Sequence, residues 1–196
     1  MAHTTLVGLG AIGAAYASRF VAAGVPLEVV ADPVRAERYR REATVVNGVP
    51  HHFEVADPAS ARAADLVVVS VKYGQLPAAI ELLRPVVGPG TVMLSLLNGI
   101  SSEQVLAEAF PQARVLLAVS AGIDAVRDGR DVRFTSLGVI SYGESRNSEP
   151  FSEAVRLVAG VFDQTGIAYD VPADMVHTLW WKFLVNVGVN QVSAVL

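Results

Sequence analysis

The 196-residue sequence contains no cysteine, and only 17% of its residues carry a charge. The absence of cysteine excludes disulfide bridges, thiolate metal ligands and a cysteine nucleophile. The net charge is −4, so no excess of positive charge favours binding to nucleic acid or to an anionic membrane surface. The four histidines show no metal-ligand spacing apart from the adjacent pair His51 and His52, whose side chains would point to opposite sides of a strand. We therefore expect no metal site.

The sequence also lacks an apolar run long enough to cross a membrane. Residues 88–102 carry no charge, but they include Pro89 and Asn98, and they are shorter than the roughly 20 residues that a spanning helix needs. No basic segment leads into an apolar run near Met1, as it would in a secretory signal peptide. These features predict a cytoplasmic protein that does not bind membranes.

What the sequence does have is apolar residues, 52% of the chain, which favour a large buried core over disorder. Strand and helix patterns alternate through the first two-thirds of the chain. Strands are predicted at 4–7, 27–31, 65–71, 91–97 and 115–123, and helices at 11–23, 75–87 and 103–110. Continuous β-branched runs are typical of parallel strands that are covered on both faces. The order predicts an α/β fold, a Rossmann-type doubly wound and mostly parallel sheet.

The G-x-G-x-x-G run at residues 8–13 is the most informative motif, because it directly follows the first predicted strand. Its first glycine permits a tight turn, its second lets the backbone approach a pyrophosphate, and its third lets the next helix pack closely on the sheet. The helix that starts there would direct free N–H groups and its positive dipole end at phosphates. A glycine-rich surface turn is the alternative. The predicted dinucleotide-binding residues are Gly8, Gly10, Ala11, Ile12 and Gly13.

Asp32 directly follows the second predicted strand. It comes about 20 residues after the glycine run, the distance at which an acidic side chain meets the adenosine ribose of a bound dinucleotide. We therefore predict that Asp32 also binds the cofactor.

Polar groups recur at two further places that ligands reach in open α/β sheets, beyond the carboxyl ends of the strands. Lys72 and Asn98 each follow a buried strand pattern. Lys182, Asn186 and Asn190 are spaced i, i+4, i+8 and share one face of the last predicted helix. A lysine and two amides are costly to bury without partners, so we predict that they line a polar cleft. A solvated stripe on an amphipathic helix is the alternative.

The last third of the chain follows a different pattern. It predicts an antiparallel hairpin at the sheet edge at 131–141, a helix at 150–162, a short strand at 167–171 and a helix from residue 174 to the last residue. That helix has no stop signal and ends on an apolar face. We expect a dinucleotide-binding domain at 1–172 and, at 173–196, the start of a helical substrate or dimerisation domain whose remainder is absent. The uncovered face also favours a homodimer.

Together these motifs resemble those of the ketopantoate reductases (2-dehydropantoate 2-reductases). The resemblance covers the whole chain and rests on the glycine run, Val71-Lys72, Leu97-Asn98-Gly99 and a W-x-K-x-x-x-N-x-x-x-N pattern at 180–190. The glycine run is shared by many dehydrogenases, whereas the combination is much more specific.

The resemblance implies a role for each of the polar residues. Lys182 would be the catalytic lysine, donating a proton to the carbonyl oxygen that gains charge during hydride transfer from NAD(P)H. Asn186 and Asn190 would bind the substrate. Asn98 would lie between the nicotinamide ribose and the substrate, and Lys72 near the cofactor or the substrate anion.

One departure from that family concerns the cofactor. The ketopantoate reductases usually prefer NADPH and place a basic residue just after the second strand, where this chain has Asp32. A carboxylate accepts the ribose 2′-hydroxyl of NAD but repels the 2′-phosphate of NADP. Arg35 and Arg38 lie close enough to offset that repulsion. We therefore expect NAD, with NADP as the alternative.

The sequence thus predicts an oxidoreductase that reduces a small 2-keto acid, similar to 2-dehydropantoate, to the 2-hydroxy acid. Two other classes of protein stay open at this point. One is a non-catalytic regulator that binds a nicotinamide dinucleotide, and the other is a related dehydrogenase of different carbonyl or imine substrates.

Overall fold

The computed structural model describes residues 1–57, 62–190 and 193. Its strands are β1 Thr4–Val7, β2 Leu27–Val30, β3 Thr44–Val46, β4 Val49–His51, β5 Glu54–Val55, β6 Leu66–Val69, β7 Val92–Ser95, β8 Arg114–Ile123, β9 Val126–Asp128, β10 Asp131–Arg133, β11 Leu137–Gly143 and β12 Tyr169–Asp170. Its α-helices are α1 Ala11–Ala23, α2 Pro33–Arg41, α3 Leu76–Leu83, α4 Ser102–Ala109, α5 Glu153–Thr165 and α6 Met175–Val185. A 3-10 turn, Tyr73–Gln75, precedes α3, and a π-helical turn, Asn186–Asn190, continues α6.

The main sheet has eight strands in the order β12-β11-β8-β7-β6-β1-β2-β5. The six strands from β8 to β5 are parallel to one another. Along β1, Leu6 packs into a core on one face of the sheet and Val7 into a second core on the other, and the residues of β6 alternate in the same way. Both faces are therefore covered, as a parallel sheet requires. The predicted Rossmann-type fold is confirmed.

The predicted hairpin at 131–141 is wrong in its pairing. Strands β9 and β10 form a hairpin in a separate four-stranded sheet of order β4-β3-β10-β9, whereas β11 pairs antiparallel with β8 in the main sheet. The side chain of Asn47, which follows β3, forms two hydrogen bonds to the backbone of Phe134, which follows β10. It accepts one from the N–H of Phe134 and donates one to the carbonyl of Phe134, both at 3.0 Å. No local pattern predicts a contact between residues so far apart in the chain.

Several helix and strand boundaries also differ from those predicted. Helix α3, predicted at 75–87, ends at Leu83, because the chain turns there toward β7. The helix predicted at 150–162 begins at Glu153, after Ser152 caps it. The short strand after it includes only Tyr169–Asp170. The last helix begins at Met175, capped by the side chain of Asp174. Of its predicted continuation, residues 191, 192 and 194–196 lie outside the described residues.

In the part of the chain that the structure describes, every helix is too short or too polar to traverse a lipid bilayer.

Candidate active site

The glycine run forms the turn from β1 into α1, and its three glycines have different surroundings. Gly8 has φ +99°, and a Cβ built there would lie 2.3 Å from the carbonyl oxygen of Ser70. A Cβ on Gly13 would lie 1.9 Å from the carbonyl oxygen of Gly8. A Cβ on Gly10 would meet nothing within 4 Å in the part of the chain that the structure describes. Two glycines are thus required by the fold itself, whereas Gly10 borders open space in front of the helix.

That open space faces the N-terminus of α1, where Ala11 and Ile12 lie. No side chain among the described residues caps this helix, whereas Asp32 caps α2, Ser152 caps α5 and Asp174 caps α6. The first N–H groups of a helix have no intrahelical partner, so those of α1 are left for a ligand. A free helix start behind a glycine without a Cβ fits the diphosphate of a dinucleotide.

Asp32 lies at the end of β2, at the N-terminus of α2. Its carboxylate accepts the N–H of Arg35 at 3.0 Å and lies 3.4 Å from the Nε of the same residue. The side chain of Asp32 remains 39% exposed, so part of the carboxylate faces solvent. Arg38 points elsewhere, with its guanidinium carbon 5.3 Å from the ring centre of Tyr39. Asp32 therefore combines a capping role with an accessible charge.

Lys72 follows β6 and starts the 3-10 turn, where its N–H donates to Oε1 of Gln75 at 3.3 Å. Its side chain is exposed at the same edge of the sheet as the glycine run. Parallel pairing of β1 with β6 brings the two loops together, as the sequence pattern indicates.

A cluster of predicted site residues lies where α6 packs against β8. The Nζ of Lys182 donates to the carbonyl oxygen of Ser120 at 3.0 Å. One turn further along, Nδ2 of Asn186 donates to Oδ1 of Asn98 at 3.4 Å. The backbone of Asn190 belongs to the π-helical turn, and its side chain lies outside the described residues. The structure thus brings together two segments, because Asn98 follows β7 and lies 84 residues before Lys182, which shares one helical segment with Asn186.

Lys182 and Asn98 line a small cleft that opens to solvent. Its walls are formed by Leu96, Leu97, Asn98, Gly99, Ala118, Val119, Ser120, Leu179 and Lys182. Burial lowers the pKa of Lys182 from its ordinary value, because removal from water disfavours the charged ammonium. The cleft therefore offers a proton donor beside neutral amides, on a partly apolar wall.

Sequence reasoning missed the groups that lie behind this cleft. The carbonyl of Ser120 holds Lys182, and the hydroxyl of Ser120 bonds the hydroxyl of Tyr16 at 2.8 Å. Glu103 is 5% exposed and accepts a hydrogen bond from the hydroxyl of Ser102 at 2.9 Å. Burial raises the pKa of Glu103. The sequence signal for the contact with Ser120 was Tyr16 on an apolar helix face, because a buried hydroxyl needs a hydrogen-bond partner.

Within residues 1–57, 62–190 and 193, no group of three or more histidine or acidic side chains is placed to hold a metal ion.

The doubly wound sheet and its glycine turn define a Rossmann-type protein. The family model for "Ketopantoate reductase PanE/ApbA" matches residues 4–147. The 2-dehydropantoate 2-reductase of Halobacterium salinarum is 35% identical over 139 residues, which cover 70% of this chain and 45% of that protein. The enzyme of the same name from Aquifex aeolicus is 26% identical over 197 residues, 96% of this chain and 61% of that protein. The chain belongs to the ketopantoate reductase family, and its matches span about half of these relatives' length.

Solved structures share the fold. The 2-dehydropantoate 2-reductase from Geobacter metallireducens superposes with a TM-score of 0.80 at 24% identity, covering 97% of this chain and 64% of that one. D-mandelate dehydrogenase, solved as a ternary structure with NADH and anilino(oxo)acetate, superposes with a TM-score of 0.81 at 17% identity, covering 96% of this chain and 63% of that one. The architecture is therefore common to enzymes named for different substrates.

Proposed function

We propose that this protein reduces a small 2-keto acid similar to 2-dehydropantoate to the 2-hydroxy acid, with NAD(P)H as the hydride source. The observation that carries the proposal is the meeting of Lys182 with Asn186 and Asn98 at the carboxyl edge of the sheet. A non-catalytic dinucleotide-binding protein has no need of a partly buried lysine beside two amides at this place.

Lys182 acts as the general acid in this proposal. When a ketone becomes an alkoxide, negative charge develops on its oxygen, and an ammonium within hydrogen-bond distance stabilises that charge and supplies the proton. The bond from Lys182 to the carbonyl of Ser120 uses one of the three N–H groups of the ammonium, which leaves two for the substrate. Asn98 and Asn186 would bind the hydroxyl and carboxylate groups of the keto acid, together with Asn190.

A bound nicotinamide dinucleotide would supply the hydride. The residues that would hold it are Gly8, Gly10, Ala11, Ile12, Gly13, Asp32, Lys72 and Asn98. The uncapped start of α1 and the free space at Gly10 support this assignment of the diphosphate end, and the exposed part of the Asp32 carboxylate supports that of the ribose.

We further propose that residues 173–196 begin a helical substrate domain after a dinucleotide-binding domain at 1–172. The support is the outer face of α6 and its continuation, where large apolar side chains are exposed. They include Trp180, Trp181, Leu184 and Val189, the last three at 60% or more. An apolar face of this size normally packs against further helices, either in the same chain or in a second copy.

A direct assay tests the proposal. Purified protein is mixed with ketopantoate and either NADH or NADPH, and oxidation of the cofactor is followed with a panel of other 2-keto acids beside it. Turnover with ketopantoate supports the proposal. Tight binding of the cofactor with no turnover of any keto acid would instead favour a non-catalytic regulator, and turnover of other substrates alone would favour a related dehydrogenase.

The Asp32→Asn variant is expected to weaken NADH binding and to improve the relative affinity for NADPH by about tenfold. Asparagine caps a helix about as well as aspartate, so α2 stays intact while the charge that repels a 2′-phosphate is removed. Titration of both cofactors by fluorescence measures the ratio of the two dissociation constants. The matched control is Glu37→Gln, which removes an exposed charge from the same helix. A wild-type protein that already binds NADPH more than about tenfold better than NADH would contradict the role given to Asp32.

The rate of reduction is expected to fall on the alkaline side at a pH below 10.5, the ordinary pKa of lysine. A general acid works only while protonated, so kcat is present below the pKa of Lys182 and is lost as the pH rises through it. Because burial lowers that pKa, the loss comes earlier than for an exposed lysine. A profile of kcat against pH under saturating substrate measures this limb. A rate that stays constant up to the ordinary lysine pKa would exclude Lys182 as the acid.

A further inference from the structure

Tyr16 is a polar side chain in an apolar environment. It lies in the middle of α1 and is only 4% exposed. Its hydroxyl donates to the carbonyl of Leu137 at 2.9 Å, which uses its one proton. The bond to the hydroxyl of Ser120, at 2.8 Å, must therefore run from Ser120 to Tyr16. Burial raises the pKa of Tyr16, so the hydroxyl stays neutral and keeps this arrangement across the physiological range.

The backbone of Ser120 points the other way, toward the cleft. Ser120 lies directly opposite Ile140 in the antiparallel pair of β8 and β11. The N–H of Ile140 bonds the carbonyl of Ala168, away from β8, so this is a pair without mutual hydrogen bonds. The carbonyl of Ser120 consequently faces the side of β7, and β7 has already ended at Ser95. This vacant ladder position is where the Nζ of Lys182 binds, at 3.0 Å.

We propose that Tyr16 and Ser120 are positioning residues that fix the proton donor Lys182, with the Tyr16 hydroxyl locking Ser120 so that its carbonyl holds the ammonium. This inference rests on the proposed function, because it assigns a role through Lys182. The hydrogen bonds among these three residues connect α1, the helix behind the glycine run, to β8 and then to α6. The tyrosine thereby links the element that would carry the cofactor to the group that would protonate the substrate.

The same contacts would also arise if the tyrosine merely satisfied its hydroxyl in the core. The two explanations differ in what a deletion of that hydroxyl changes. A core role affects only the stability of the fold. A positioning role lowers the rate of the chemical step, because a donor displaced by about 1 Å loses much of its effect, whereas substrate and cofactor binding change little.

The test removes single hydroxyl groups. Tyr16→Phe and Ser120→Ala are each expected to lower kcat about tenfold with unchanged KM for the keto acid and unchanged Kd for the cofactor. The matched control is Tyr142→Phe, because Tyr142 is also buried and donates its hydroxyl to a backbone carbonyl, that of Val155 on α5 at 3.0 Å. The control should lower the melting temperature to a similar degree and leave kcat at the wild-type value.

A double-mutant cycle with Lys182→Met completes the test. If Tyr16 acts through the lysine, Tyr16→Phe lowers kcat in the wild-type background and has no further effect on the residual rate of the Lys182→Met variant. Equal kcat in Tyr16→Phe, Ser120→Ala and Tyr142→Phe would overturn the inference while leaving the proposed function in place. Unchanged turnover in Lys182→Met would show instead that Lys182 is not the proton donor, and the inference would fall with that role. Absence of turnover of any keto acid by the wild-type protein would overturn the proposed function itself.

Discussion

Replacement of Lys182 by methionine is expected to lower kcat by about 10²- to 10⁴-fold, the range that a well-placed general acid contributes. Methionine keeps an unbranched stem of similar length, so the packing of α6 on β8 is retained while the ammonium is lost. The affinity for the cofactor should be nearly unchanged, because the side chain of Lys182 bonds Ser120 on β8, away from the glycine run. Steady-state kinetics and cofactor titration on the same preparation measure the two quantities.

The control for this substitution is Arg84→Met, which removes an exposed cation directly after α3, where the guanidinium pairs with Glu81 at 2.8 Å. It should leave kcat at the wild-type value. Lys182→Arg separates charge from proton donation, because arginine keeps the positive charge but does not give up a proton near neutral pH. A wild-type rate in Lys182→Met would remove this residue from the chemistry. A wild-type rate in Lys182→Arg would leave it only an electrostatic role.

The parts of the fold that local sequence determines were predictable. Apolar runs such as 65–71 predict buried strands, because both faces of such a strand are covered. The glycine spacing at 8–13 predicts a turn, because only glycine fits where a Cβ would overlap the backbone. The edge where Lys72 and Asn98 lie also follows from the strand order, since parallel strands end at the same edge.

Contacts between distant segments were not predictable in this way. The second sheet joins β3 to β10, and the side chain of Asn47 bonds the backbone of Phe134 beside this pair. No periodicity in the sequence indicates either contact. The partner of Lys182 is a backbone carbonyl, and a backbone group leaves no mark in the sequence. Only the spacing of Lys182 and Asn186 could be read beforehand, because both lie on one helix face.

The Gly10→Ala variant is expected to stay folded and to bind the cofactor about 10- to 100-fold more weakly. This corresponds to a loss of about 1–3 kcal/mol of binding free energy, the cost of a methyl group placed against a ligand. Gly10 has φ −74°, a value open to any residue, and a Cβ there meets no atom of the described residues within 4 Å. The substitution therefore costs the fold little. It fills the space through which a diphosphate would approach the start of α1. Calorimetric titration with NADH and ADP-ribose, beside a thermal melt, measures both properties.

Gly13→Ala provides the contrast within the same motif. Its Cβ would lie 1.9 Å from the carbonyl oxygen of Gly8, which belongs to the backbone and has no room to move. We expect a loss of at least about 3 kcal/mol of unfolding free energy, or a melting temperature lower by roughly 6–12 °C. Gly160→Ala, on α5 with open space at its Cβ, is the control and should stabilise the helix slightly without changing cofactor affinity. If Gly10→Ala bound NADH as tightly as Gly160→Ala does, the space in front of α1 would not be the diphosphate site, and the glycine run would be explained by the fold alone.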